Sequence, residues 1–257
     1  MMLSRPTDSG RKTMRLFRLL PGTIEKLLFR SRRSGTTEAA SFISLNLILI
    51  LGVFFILLNN VVYDWTGTMY THGFHLNTSL DDAIPFAPAW AVFYLYLFYP
   101  LSAVTMLYFC FIEYKAGYAL AWSLVLINLI SDVVYILFPV TTDIYRATLL
   151  ANPMVGNPLA SAMYRHYAAD PSFNCFPSLH AAVSVICFYA WYRYARVRPN
   201  RITGTIAVGM AIVALGVVLS TLFVKQHYIA DEIAGILLAW GIGAWVYGKK
   251  GVLAERE

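Results

Sequence analysis

The sequence predicts an all-α polytopic membrane protein, a bundle of six spanning helices, on three observations. Of its 257 residues 58% are hydrophobic and only 13% charged, and the mean hydropathy is +0.59, too apolar for a soluble domain of ordinary composition. The apolar residues are gathered into blocks of roughly 17–25, the length a helix needs to cross ~30 Å of hydrocarbon. The basic residues recur in every second connection between those blocks.

The blocks run from Ser41 to Tyr63, Ala89 to Phe111, Ala116 to Phe138, Ser178 to Tyr192, Ile202 to Val224 and Ile229 to Tyr247. The fourth is the shortest. The first follows a polar lead of forty residues and is too long for a signal-peptide core, so it is expected to stay in the chain. Three parts result: a basic N-terminal segment (1–40), a six-helix membrane domain (41–248) and a short tail (249–257). Between Met14 and Phe29, Leu, Phe and Ile alternate with Arg and Lys, which reads either as an interfacial helix on anionic lipid or as a disordered basic tail.

A net charge of +6 would point a soluble protein towards nucleic acid; here its placement sets its meaning, and no nucleic-acid partner is expected. Nine Lys and Arg from Arg5 to Arg33 precede the first helix, Lys115 lies between the second and third, and Arg193, Arg196, Arg198 and Arg201 separate the fourth and fifth. Lys249 and Lys250 follow the last. With six alternating helices all fall on one side, which basic flanks mark as cytoplasmic, so both termini are predicted inside. The connections 64–88, 139–177 and 225–228 are predicted outside, at a bacterial inner or plasma membrane rather than a eukaryotic Golgi. Cys110 and Cys187 sit in apolar blocks and Cys175 stands in an outer loop, so no disulfide framework is implied.

The chain shows no internal repeat and no linker between folding units. The outer stretch from Pro139 to Pro177 reads as a loop long enough to be functional or disordered, and Asn77-Thr78-Ser79 is a glycosylation triplet on the same side. That loop ends in Asn174-Cys-Phe-Pro-Ser-Leu-His180, which opens the fourth helix, with Pro177 suited to its first turn. Free N–H groups and the helix dipole make such a terminus an anion site, to which Ser178 adds a hydroxyl and Leu179 an amide. His180 stands where it could protonate a leaving oxygen.

The second motif, Ser220-Thr-Leu-Phe-Val-Lys-Gln-His-Tyr-Ile-Ala-Asp231, spans the outer end of the fifth helix and the start of the sixth. His227 and Asp231 are four apart and share a helical face, so the carboxylate can hold one imidazole nitrogen while the other is aimed at phosphorus. Lys225 offers a cation for phosphate oxygens. A lone interfacial histidine is more often a bystander. Two separate histidine blocks, placed on one membrane face by charges elsewhere, weigh against coincidence.

At these residues the chain resembles the type 2 phosphatidic acid phosphatase (PAP2) superfamily, and within it the branch of inositol phosphorylceramide synthases of the aureobasidin-resistance type and their bacterial relatives. CFPSLH and KQHYIADEIAG carry the resemblance, which covers most of 138–235, with a looser echo in IPFAP at Ile84 to Pro88. It implies that His227 is a nucleophile forming a phosphohistidine, that Asp231 orients it, that His180 protonates the leaving group, and that Ser178 binds phosphate, with no metal and no cofactor. The superfamily carries an arginine directly after the serine matching Ser220; here Thr221 stands there, and Lys225 is expected to take part of its role. The first superfamily motif is degenerate, and the remnant from Phe138 to Arg146, with Ala147 for its proline, makes Arg146 the candidate phosphate ligand.

Asp132, inside an apolar helix, is a functional candidate by its depth and is expected to pair with Arg146 or Lys225, or simply to be buried with a partner. Glu232 is read as favouring its helix start. The expected activity is a lipid-phosphate phosphatase with its site at the extracytoplasmic end of the bundle. The alternative is a phosphotransferase that moves a phosphate or phospho-head group onto a second lipid or polyol hydroxyl. A lipid transporter or scaffold, and a metal site of His180, His227 and Asp231, are the rivals.

Overall fold

A computed structural model describes residues 57–248. The basic segment 1–40, most of the first predicted span and the tail 249–257 lie outside the described residues. The chain is helical over 57–69 (α1), then forms α2 (Ser79–Ala83), a 3-10 turn (Pro88–Trp90) and a π-helical stretch (Val92–Leu97) leading into α3 (Phe98–Ile112). There follow α4 (Tyr114–Leu137), α5 (Asp143–Ala151), α6 (Pro158–Ala169), α7 (Leu179–Val197), α8 (Arg201–Phe223) and α9 (Ile229–Tyr247). Among the described residues β-structure is limited to isolated bridges that join Phe74, Val140 and Asn174.

Among the described residues four stretches are long and apolar enough to cross a membrane: Pro88–Phe109, Ala116–Leu137, Arg201–Phe223 and Ile229–Tyr247. They match the second, third, fifth and sixth predicted blocks. The fourth block forms a helix, α7, that is not among them. Its place in the bundle explains its polarity, because it packs against α3, α4, α8 and α9 and buries nine residues, Ser184 and Tyr194 among them. A helix surrounded by protein has no need of a lipid-compatible surface.

The stretch 139–177, predicted as a loop, is instead largely α5 and α6. Leu137 ends α4 two residues before Pro139, where a proline disfavours further helix, and Asn157 starts α6 by accepting from the amides of Leu159 and Ala160, 3.0 Å each, with Pro158 in the first turn. A second correction concerns Pro177, which precedes the helix and does not enter it. Ser178 is the N-cap of α7 and its hydroxyl accepts from the Ala181 amide at 3.2 Å.

One end of the bundle gathers the connections 64–88, 139–177 and 224–228. The Ala87 amide donates to Phe223 O, Tyr63 Oη to Asp170, and Tyr228 Oη to Thr141 O. At the other end Arg198 pairs with Glu113 and Arg193 donates to Tyr247 O. Between the ends, Ala116, Ala119, Ala182, Ala190 and Ala239 are buried in one cluster with Phe109, Ile186 and Trp191. Small residues let helices approach where burial from water is not the driving force, and polar contacts such as Trp191 Nε1 to Thr105 Oγ1 (3.1 Å) add to them.

Candidate active site

The site is built where two helices begin side by side. α8 ends at Phe223, and the turn after it is held by Val224 N to Ser220 O (2.8 Å), Gln226 N to Thr221 O (2.8 Å) and His227 N to Thr221 O (3.3 Å). Lys225 takes the left-handed conformation within it, with φ +52°. Asp231, in the first turn of α9, accepts from the Tyr228 amide through Oδ2 at 2.8 Å, which caps the helix. The same oxygen lies 3.5 Å from Nδ1 of His227, in ion-pair range and longer than a well-formed hydrogen bond.

The start of α7 is fastened to that of α9. The Ser178 amide donates to the Asp231 carbonyl at 3.0 Å, and Gly235 lies so close that a Cβ there would stand 2.4 Å from Ser178 O. This contact sets His180 beside His227, with Nδ1 of His180 3.4 Å from Nε2 of His227. A line of Asp231, His227 and His180 results, and His227 turns one nitrogen to the carboxylate and the other to the second imidazole. Burial disfavours the charged form of His227, but the Asp231 and Glu232 carboxylates outweigh it and raise the imidazole above its usual value. The His180 ring packs against Tyr94 and Phe98, with centroids 4.5 and 4.6 Å away. Both come from the π-helical stretch and the turn it feeds, a widening of the helix often met at functional sites.

A second network adjoins the pair. Arg146 and Asp170 form an ion pair of 2.6 Å with side chains 6% and 7% exposed. Arg146 also donates to Asp170 O (3.0 Å), to Thr142 Oγ1 (3.2 Å) and to Gln226 Oε1, so most of its five donors are already taken. Asp170 further accepts from Tyr63 Oη at 2.6 Å. Burial alone would raise its carboxyl, but Arg146 and Tyr63 hold it below the usual range. His166 lies 3.9 Å from Asp170 and 3.0 Å from Tyr94 Oη, and burial pushes its imidazole down.

His180, His227, Arg146 and Leu179 all line one cavity of about 710 Å³. The remaining predicted residues lie elsewhere. Ser178 acts as a cap, although the first-turn amides it precedes lack intrahelical acceptors. Ser220 is fully buried with its hydroxyl donating to Val217 O at 2.6 Å. The Lys225 ammonium donates to Asp81 O at 2.7 Å and lies 4.4 Å from the Tyr145 ring centre; burial lowers its pKa against the pull of Asp81 and Asp82. Asp132 pairs with neither Arg146 nor Lys225 but with Asn59, whose Nδ2 donates to it at 2.8 Å.

Spacing along the chain gave no sign of several residues. Asp81 is buried and takes the Ile229 amide at 2.7 Å, bracing α9 from α2; the only local trace is the Thr78–Asp81 capping box. Glu232 does more than decorate a helix start: it is buried beside His227, with Oε1 accepting from Thr221 Oγ1 at 2.8 Å and Oε2 unpartnered. Among the described residues one donor group has metal-like spacing, Cys175, His227 and Asp231, within 4.8 Å of one another; it differs from the rival set of His180, His227 and Asp231 by taking Cys175 for His180. Burial pushes the Cys175 thiol up.

No curated protein and no solved structure matches the chain significantly. A family model, that of the PAP2 superfamily, matches residues 66–245. That stretch reaches from α1 to the last turns of α9 and contains both histidines with Asp231, so the chain belongs to the PAP2 superfamily.

Proposed function

We propose that the protein is a membrane lipid-phosphate phosphatase that works through a phosphohistidine. The observation that carries this is the line Asp231, His227, His180, whose two histidines line a large cavity, in a chain of this superfamily. His227 attacks phosphorus through Nε2; the P–N bond forms as the P–O bond of the ester breaks. His180, in its protonated form, gives its proton to the departing oxygen. It then takes a proton from water, whose oxygen attacks phosphorus, and the P–N bond breaks to release phosphate. Asp231 stabilises the imidazolium character that His227 gains on attack.

The phosphate oxygens are met by the open amides at the start of α7 and by Arg146 from the cavity wall. Lys225 and Ser220 are assigned to bracing the loop, and no metal takes part. The charge pattern and the grouped connections support six spans, both termini in the cytoplasm and the site at the extracytoplasmic face.

A phosphotransferase using the same residues is the second reading, favoured by a cavity larger than one phosphate requires, which leaves room for a hydroxyl acceptor in place of water. Purified protein with a ³²P-labelled lipid phosphate, with and without a lipid or polyol alcohol, separates the two. Free phosphate from wild type and none from His227→Ala supports the phosphatase; label in a new lipid only when the alcohol is present supports the transferase. Full activity in His227→Ala would overturn both.

A further inference from the structure

His227 does not sit on a helix. It belongs to the turn after α8, which backbone bonds to Ser220 O and Thr221 O tie to the end of that helix. A nucleophile must be aimed closely, since a displacement of about 1 Å costs about 100-fold in rate, so what holds the turn from the side bears on the chemistry. Two side chains from α5 and α6 reach it. Tyr167 Oη donates to Val224 O, and Nη2 of Arg146 donates to Oε1 of Gln226, the residue before His227. A guanidinium has donors only, so the oxygen is the end of the Gln226 amide that it takes.

Arg146 is itself fixed. Asp170, the C-cap of α6, grips it twice, with Oδ2 2.6 Å from Nη2 and the backbone carbonyl 3.0 Å from Nη1, while Nε donates to Thr142 Oγ1 at 3.2 Å. With the bond to Gln226, four of its five N–H groups are engaged among the described residues, and a planar fork held at that many points has little freedom to turn. Asp170 is fixed in turn, because Oδ1 accepts from Tyr63 Oη of α1 at 2.6 Å and from the Ser172 amide at 3.1 Å. Arg146 and Gln226 are buried, and the Asp170 side chain is nearly so. A buried ion pair adds little net stability, because desolvation offsets the attraction. Its place beside the turn of the nucleophile is better explained by the geometry it sets.

We propose that Asp170 and Gln226 are positioning residues of the reaction: Asp170 locks Arg146, and Arg146 through Gln226 holds the turn that aims His227. The fifth N–H, on Nη1, is left for the phosphate, so one guanidinium fixes nucleophile and phosphate relative to each other. This rests on the proposed phosphatase reading and adds the groups that set its geometry.

The deciding variant is Gln226→Met, which keeps length and burial, removes the acceptor and leaves the ion pair intact. With radiolabelled diacylglycerol phosphate in detergent micelles, its kcat is expected to fall about 10- to 100-fold while KM stays within about twofold of wild type. Asp170→Asn is expected to lower kcat at least as much, and Gln226→Met to add little further loss in that background, since both act through one series of contacts. Wild-type kcat in Gln226→Met, a loss confined to KM, or full additivity of the two variants overturns the proposal. Asp170→Asn also strips the counter-charge from a buried guanidinium; if that protein does not fold, Gln226→Met decides alone. If wild type hydrolyses no lipid phosphate the phosphatase reading falls, and backbone hydrogen exchange of the full chain in detergent decides instead. Faster exchange across 224–228 in Gln226→Met, with 158–169 unchanged, upholds the positioning role, and unchanged exchange across 224–228 overturns it.

Discussion

Asp231 does two things with one oxygen, since Oδ2 accepts the Tyr228 amide and faces His227. Replacing it with Asn keeps the shape and removes the charge, and two effects are expected. Turnover falls by about 100-fold or more, as when the partner of a catalytic base is lost. The pH dependence also moves. A protonated His227 cannot attack, so kcat/KM rises with pH through the His227 pKa; the carboxylates raise that pKa, and Asp231→Asn therefore shifts the acid limb to lower pH. Glu232→Gln is expected to shift it the same way with a smaller loss of rate, because its carboxylate acts on His227 at longer range. A pH–rate profile of the three proteins checks both. His180, His227 and Asp231 could be picked out as a candidate group because helical spacing and helix-start chemistry are local. Asp170, Gln226 and Tyr94 could not, because their roles come from contacts spanning 24 to 80 residues of chain.

The helices are positioned by a few close approaches. Gly235 allows α9 to lie against the backbone of Ser178, and a methyl there would meet a carbonyl oxygen that cannot swing aside. Gly235→Ala is expected to cost about 1–3 kcal/mol and to lower kcat more than it raises KM, since it parts His180 from His227; thermal unfolding and steady-state kinetics read the two effects. The turn between α8 and α9 depends on Lys225, which is tied to Asp81 and stacked on Tyr145. Lys225→Met is expected to destabilise the protein by ~1–2 kcal/mol and to leave the KM for different lipid phosphates changed in common, if at all. A tenfold rise in KM with stability intact would instead make the ammonium a phosphate ligand. Most element boundaries were readable from hydropathy. α5 and α6 were not, because they are short and only partly apolar, though Asn157 followed by Pro158 was a start signal in plain view.

Across the whole molecule, among the described residues the basic connection between α7 and α8 lies at the end of the bundle away from the histidines, where Arg198 pairs with Glu113. The central position of α7 could not be read from the sequence: its tyrosines and arginines lower its hydropathy, and only packing shows that lipid is not what surrounds most of it. Orientation is open to direct measurement. Val155, 91% exposed, and Asn200 lie on connections at opposite ends. In intact cells a cysteine at 155 is expected to react with a membrane-impermeant maleimide, and one at 200 only after permeabilisation; the reverse pattern would invert the proposed topology.

The bond from Ser178 to the Asp231 carbonyl joins the middle of the chain to its last helix. His180 is synthesised well before His227, and during that interval the growing chain holds only one imidazole of the pair. On the proposed mechanism the pair is complete only when α9 has docked on α7, so a chain that ends before His227 is expected to be inert, and turnover to report that the last helix has been made.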